Sequence, residues 1–255
     1  MHIEKIDPLT KNPLISIITV VRNAEDCLEE TILSIQNQTY KHIEYIVIDG
    51  NSSDSTPSII EKYNEAINLC ISEQDDGIYH AMNKALSHAN GSLVGILNAG
   101  DIFYPSTIEE IANAFSHNDF DYTFGSVKIV DTSGKTRKIF TPIKAIPESF
   151  NKLILMPAPH MSVFVKRALL KKLGGYDLQY SVSSDYDLLL RLMKLSKNVF
   201  VLPKVIGAFK LGGISGSFKT HIENFYIFRK HGFPIFISIF HTALYIFKEA
   251  IKKIF

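Results

Sequence analysis

The chain has 255 residues, 46% of them hydrophobic, and a formal net charge of +1. That length suits one large α/β domain with or without a tail, and the apolar share is enough for a sizeable core. Balanced charge excludes a global field for nucleic acid, and Cys27 and Cys70 lack metal-ligand spacing and suit a reducing cytoplasm.

The N-terminal segment has no apolar run and is interrupted by Asp7-Pro8, so no signal peptide is expected. Ile15 to Val20 is a buried-strand run, and Asn23 is placed to cap the helix after it. Leu28, Ile32 and Ile35 lie on one face of that helix. Tyr45 to Ile48 reads as a second strand, with Thr56 as cap and Pro57 in the first turn of the next helix. Leu69 to Ile71 is a third strand. Ile78, Met82, Ala85 and Ala89 form a helical stripe stopped near Gly91. Leu93 to Leu97 is the fourth strand, and Ile108, Ile111, Ala112 and Phe115 mark another helix. This alternation predicts right-handed crossovers and a mostly parallel, Rossmann-like sheet flanked by helices, with ligands beyond the carboxyl ends of its strands.

The second half changes character. Tyr122 to Val130 and Thr136 to Phe140 read as a hairpin turning at Asp131-Thr132-Ser133-Gly134. A short helix, Ala168 to Leu173, ends at Gly174-Gly175. Leu188, Leu192 and Leu195 define a helix starting near Asp185, followed by short strands at Val199 to Leu202 and Val205 to Phe209. No internal repeat or linker composition interrupts residues 1–220. These are expected to form one catalytic domain, with halves at about 14–105 and 106–220. Residues 221–255 are expected to be a C-terminal amphipathic helical extension. The run from Pro234 to Phe247 is too short to span a bilayer, which needs about 20 apolar residues. Lys248, Lys252 and Lys253 follow it at helical spacing, a pattern that suits interfacial contact.

Four polar clusters fall at strand ends: Thr19 to Asn23, Ile48 to Thr56, Ser72 to Tyr79 and Leu97 to Asp101. In a doubly wound sheet these share one rim, so Asp49, Asp54, Asp75, Asp76 and Asp101 are expected to crowd one crevice. Crowded carboxylates repel and call for a cation or hydrogen-bond donors, and a divalent ion bridging to a diphosphate meets that need. Neither G-x-x-x-x-G-K-[ST] nor G-x-G-x-x-G occurs at these strand ends, which weakens the P-loop and dinucleotide alternatives. Asp54 has the position of a turn or helix-start residue, and Arg137 and Lys138 of a solvated hairpin face.

The ordered set Thr19-Val-Val-Arg-Asn23, Ile48-Asp-Gly-Asn-Ser-Ser-Asp54, Ser72-Glu-Gln-Asp-Asp-Gly-Ile-Tyr79 and Leu97-Asn-Ala-Gly-Asp101 resembles family 2 glycosyltransferases of the GT-A fold. The likeness continues at Pro159-His160, Gly174-Gly-Tyr-Asp177, Ser184-Asp185 and Gly212-Gly-Ile-Ser215. The flavour is that of bacterial enzymes building surface polysaccharide (O-antigen, capsule or exopolysaccharide) on a lipid carrier. The resemblance implies an inverting transfer from a nucleotide sugar, UDP-linked, to a hydroxyl of a glycan or lipid-linked acceptor. It assigns Asp185 as general base, Asp101 as metal ligand for Mg²⁺ or Mn²⁺, and Asp49 and Asp75 as donor-site acids. Thr19, Asn23, Asn98 and His160 complete the substrate-binding set. The expected location is cytoplasmic, peripheral on the inner face of the plasma membrane.

One departure matters. Many members of the family carry acids where Asn98 and Gly100 stand, so this chain offers less ligand charge to a metal. A sugar nucleotidyltransferase, or a nucleotide-sugar-binding subunit without activity, remain the alternatives. The first wants a Gly-rich basic loop after strand one, which Val21-Arg22-Asn23-Ala24 does not supply.

Overall fold

A computed structural model describes residues 12–142, 158–212, 218–236, 238–240 and 242–243. The first half runs β1 (Ile15–Val21), α1 (Leu28–Gln36), β2 (Ile43–Asp49), α2 (Thr56–Lys62), β3 (Leu69–Ser72), α3 (Ile78–His88) and β4 (Leu93–Ile96). The second runs β5 (Ile102–Phe103), α4 (Thr107–His117), β6 (Tyr122–Val130), β7 (Thr136–Phe140), β8 (Val163–Lys166), α5 (Arg167–Leu173), α6 (Ser184–Leu195), β9 (Val199–Lys210) and α7 (Phe218–Lys230).

All the strands join one sheet, ordered β3-β2-β1-β4-β8-β6-β9-β5, with β7 on β6. Strands β1, β2, β3, β4, β6 and β9 point one way and β5, β7 and β8 the other. The expected mostly parallel α/β sheet is therefore present. Every residue of β1 is buried, as a strand covered on both faces requires. Its period of two sends Ile15, Ile17 and Val21 into a core shared with α1 and α4, while Ile18 and Val20 enter a second core shared with α3 and α6. Each such side chain contributes about 1.5–3 kcal/mol on burial.

Local chemistry corrects three expectations. Asn23 does not cap α1, which starts later at Leu28; it stands in the left-handed region at φ 50° and shapes the loop. Thr56 is the first helical residue of α2, not its cap, and its hydroxyl accepts from the Ala24 amide at 2.8 Å. The two strands expected at 199–209 are one strand. Its register against β6 slips where Pro203 and Lys204 bulge between the pairs Gly125–Leu202 and Ser126–Val205. Proline has no N–H to give a ladder, so a bulge is where it can lodge. The 131–134 turn and the Gly174-Gly175 stop fall as expected, with Gly174 and Gly175 at φ 75° and 70°.

A boundary at residue 220 falls inside α7. Ile227 and Phe228 of that helix, with Phe233 beyond it, are buried against Tyr180, Tyr186 and Leu190 around α6. Lys248, Lys252 and Lys253 lie outside the described residues, as do most of the tail beyond Phe240 and the motif residues 213–215. No described helix is long and apolar enough to cross a membrane.

Candidate active site

The carboxyl ends of β1 and β2 are tied by side chains. Asn23 Oδ1 accepts from the Ser53 amide at 2.9 Å, and the Asn23 amide donates to Ser52 Oγ at 2.8 Å. Ser52 in turn donates its hydroxyl to Asp49 Oδ1 at 2.5 Å and its amide at 3.1 Å, while Ser72 Oγ donates to Asp49 Oδ2 at 2.6 Å. Asp49 is thus a fully buried hub that joins the ends of β2 and β3. Thr19 lies below this rim. Its hydroxyl donates to the Leu97 carbonyl at 2.7 Å and accepts from Tyr45 at 3.0 Å, a strut between β1 and β4.

Asp75 stands on the loop after β3. Lys84, one helix face away on α3, donates to its Oδ1 at 2.5 Å, and His80 approaches at 3.3 Å. Asp75 Oδ2 is buried without a partner among the described residues. Gly77 opens α3 at φ 116°, a conformation that other residues rarely adopt, and so aims the first turn of α3 back along the rim.

After β4 the chain turns tightly, with the Asp101 amide donating to the Asn98 carbonyl at 3.0 Å. Thr31 of α1 fixes this turn, accepting from the Gly100 amide and donating to the Asp101 carbonyl, both at 2.9 Å. Asp101 is 4% exposed and its Oδ1 accepts from the Lys210 amide of β9 at 3.0 Å. Burial pushes its carboxyl up to about 7, against the Lys210 hydrogen bond. Asn98 Oδ1 is buried with no partner among the described residues.

Asp185 is the second residue of α6, and Tyr79 of α3 donates its hydroxyl to it at 2.9 Å. Tyr79 stacks on Tyr176 at 5.4 Å, and the Tyr176 hydroxyl bonds His160 Nε2 at 2.6 Å. Asn83 clamps the loop that carries Tyr176, exchanging hydrogen bonds of 2.8 Å with its backbone in both directions. Asp185, His160 and Tyr176 line one small cavity whose other walls include Ile96, Leu188 and Leu189. Burial lowers the His160 pKa, so the ring is neutral near pH 7.

The expected convergence of the acids around one cation is not seen: among the described residues no three His, Cys, Asp or Glu side chains converge on a metal position. The cause is local: Asp49 is answered by serine hydroxyls, Asp54 by the Glu25 and Thr56 amides, and Asp75 by Lys84. Among the described residues the Asn98–Asp101 turn, like Asp75, keeps an unanswered oxygen, and it does so beside a carboxylate with raised proton affinity. Tyr79 and Tyr176 belong to motifs visible in the sequence, but nothing there marked their hydroxyls as partners of the Asp185 pocket.

The glycosyl transferase family 2 profile matches residues 16–173. An uncharacterised glycosyltransferase of Haemophilus influenzae is 30% identical over 251 residues, covering 94% of this chain and 98% of its own. A UDP-Glc:alpha-D-GlcNAc-diphosphoundecaprenol beta-1,3-glucosyltransferase of Escherichia coli, WfgD, is 28% identical over 71% of this chain and 70% of its own. Among solved structures, Staphylococcus aureus TarS 1-349 in complex with UDP-GlcNAc superposes with a TM-score of 0.68 at 19% identity, covering 91% of this chain and 71% of that one. Mannosyltransferase PcManGT from Pyrobaculum calidifontis, in complex with GDP-Man and Mn²⁺, has a TM-score of 0.65 at 19% identity over 96% of this chain and 78% of that one. The fold is therefore of the GT-A kind.

Proposed function

Because the chain belongs to glycosyl transferase family 2, we propose that it is an inverting enzyme moving a sugar from a UDP donor to a hydroxyl of a lipid-linked glycan, in assembly of a bacterial surface polysaccharide. That it is a glycosyltransferase follows from the family and from its named relatives. The observation that carries the proposed chemistry is Asp185, held by Tyr79 at the mouth of a cavity it shares with His160 and Tyr176.

The acceptor hydroxyl gives its proton to Asp185 as its oxygen attacks the far face of the anomeric carbon. The bond to the diphosphate breaks, its electron pair leaves with the nucleoside diphosphate, and the anomeric configuration inverts. A carboxylate base in this role is worth about 10²–10⁴-fold in rate. Neutral His160, fixed by Tyr176, is available to orient the acceptor. On the donor side Asp49, with both oxygens taken by Ser52 and Ser72, shapes the rim on which a nucleotide base would rest. The unpartnered oxygen of Asp75 suits a ribose hydroxyl.

The residues fit a divalent cation in a limited way. Asn98 Oδ1 lacks a partner and Asp101 is a carboxylate whose charge is costly without one, so both would serve as ligands. Mg²⁺ is commonly held by one or two such groups with substrate phosphates completing the shell. When bound, the ion supplies charge stabilisation to the departing diphosphate.

Support for the UDP donor and lipid-linked acceptor comes from WfgD, whose name states both. Peripheral contact with the cytoplasmic face of a membrane is proposed through the C-terminal segment. Phe236 and Phe240 expose 69% and 70% of their surface there, apolar area that interfacial contact would bury.

A thermal-shift screen with UDP-glucose, UDP-GlcNAc and GDP-mannose, with and without Mn²⁺, tests the donor. Saturation at 100 times Kd adds about 2.7 kcal/mol, so a UDP sugar is expected to raise Tm by several degrees, more with Mn²⁺. Stabilisation by GDP-mannose alone overturns the UDP assignment. Asp185→Asn is then expected to keep the donor shift and lose turnover by about 10²–10⁴-fold. Equal loss of donor affinity and rate assigns Asp185 to binding instead.

A further inference from the structure

We infer that α7 belongs to the catalytic apparatus, with Glu223 as the positioning residue that sets Asp185. The inference rests on Asp185 being the proton acceptor.

Helix α6 begins at Ser184, and its N-cap, Ser183, makes no side-chain capping bond. The hydroxyls of Ser183 and Ser184 have no partner among the described residues. A helix N-terminus leaves amides without intrahelical acceptors, and these need one from elsewhere when buried. Here Glu223, forty residues on in sequence, supplies one to the N-cap amide of Ser183 and to the two amides before it. Its Oε1 accepts from the Ser181 amide and hydroxyl, both at 2.9 Å. Its Oε2 accepts from the Val182 amide at 2.9 Å and the Ser183 amide at 3.0 Å. The carboxylate is 7% exposed and has two donors on each oxygen. A buried anion held by amides at a helix N-terminus is stabilised by both the hydrogen bonds and the helix dipole. Removing its charge reverses the preference, because an amide side chain would present N–H to N–H.

A second anchor lies on the other side of the base. Asp187 is fully buried and binds Arg191 at 2.7 Å, Lys230 at 3.0 Å and His231 at 2.9 Å. Lys230 also reaches Asp177 at 2.7 Å. The end of α7 and the residue after it thus grip α6 at Asp187, while Glu223 grips the three residues before it. Asp185 sits between the two grips. Its side chain accepts from the Tyr79 hydroxyl at 2.9 Å. Proton transfer needs heavy atoms within about 2.6–3.2 Å, so slack in this first turn costs rate before it costs binding. Among the described residues, the donor-side Asp49 and Asp75 share no hydrogen bond with this network.

The test uses the full chain with the donor and acceptor on which the wild type turns over. Glu223→Gln is expected to lower kcat at least tenfold with donor Kd within twofold, assayed well below the variant's Tm. Amide hydrogen exchange is expected to speed up at residues 181–185 and not in β1 or β2. Glu223→Asp, which keeps the charge one methylene short, is expected to recover part of kcat. Wild-type kcat in folded Glu223→Gln overturns the inference, as does a loss of donor affinity equal to the loss of rate. Should Glu223→Gln fail to fold, the same criteria apply to Glu223→Asp, where unchanged kcat overturns it. Asp185→Asn run in parallel separates the two readings. Full turnover in Asp185→Asn removes the base itself, whereas inactive Asp185→Asn beside fully active Glu223→Gln removes only the role of Glu223.

Discussion

The hydroxyl of Tyr79 reaches Asp185 at 2.9 Å from a different helix, so in the proposed mechanism it would aim the carboxylate while keeping its own proton. Burial raises the Tyr79 pKa well above its ordinary value, with the Asp185 charge adding to it. Tyr79→Phe keeps the stack on Tyr176 and removes one charge-assisted hydrogen bond, worth about 1.5 kcal/mol or more. Turnover is expected to fall about tenfold with donor Kd unchanged, read by steady-state kinetics beside calorimetry. His160 offers a pH test. Its folded pKa lies below the ordinary value near 6.5 because burial opposes the charged ring. The unfolded chain therefore binds a proton that the folded chain refuses, and stability present above pH 6.5 is lost as pH falls. Tm measured from pH 8 to pH 5 is expected to drop through this window, and less steeply in His160→Gln. At this scale the positions of Asp101 after a strand and of Asp185 at a helix start were legible, since both are marked by neighbouring apolar runs. Thr19 was read as a ligand group from its motif, but the strand's period of two turns its hydroxyl inward to Leu97. The Tyr79 contact joins residues 106 apart in sequence and leaves no local trace.

Among the elements, β5 is only Ile102–Phe103, yet it fixes the residue before it. It pairs with Ala208 and Gly207 of β9, and the Lys210 amide then meets Asp101. A Cβ on Gly207 would run into the Ile102 carbonyl and the Met161 side chain. Gly207→Ala is expected to push β5 off β9 at a cost of about 1–3 kcal/mol. The Mn²⁺-dependent part of donor stabilisation is expected to shrink with it; a variant with wild-type Tm and metal response would show that β5 does not hold Asp101. Helix and strand types in the first half were legible because each carries an unbroken apolar period. The second half was less so. Pro203 splits the apolar pattern of β9, although the backbone passes it as a bulge. The cap of α6 was illegible for a related reason: its serines suggest self-capping, while the acceptor arrives from α7.

On the scale of the whole molecule, the two halves expected at 14–105 and 106–220 share one sheet, because β8 and β6 continue it from β4. Helix α7 extends that unit. Ile227, Phe228 and Phe233 are at most 1% exposed, and three such side chains contribute several kcal/mol, at about 1.5–3 kcal/mol each. Truncation before Phe218 is accordingly expected to lower Tm by roughly 10 °C, since a chain of this size loses about 2–4 °C per kcal/mol, and to abolish turnover. A truncated chain with wild-type Tm and kcat would show α7 to be dispensable. Liposome flotation of the full chain against Phe236→Ser/Phe240→Ser tests the membrane proposal separately, because both rings are exposed and neither belongs to the α6–α7 contact.

The position of Glu223 in the chain also sets an order in time. Synthesis runs from the N-terminus, and every strand of the described sheet is made before Glu223. A nascent chain can therefore close its sheet, and with it the rim around Asp49 and Asp75, while the first turn of α6 still lacks its cap. On the proposed roles of these residues, the capacity to hold a sugar donor would come first and the capacity to spend it last. If Glu223 sets Asp185, an enzyme interrupted during its making would be left as a binder rather than a loose catalyst.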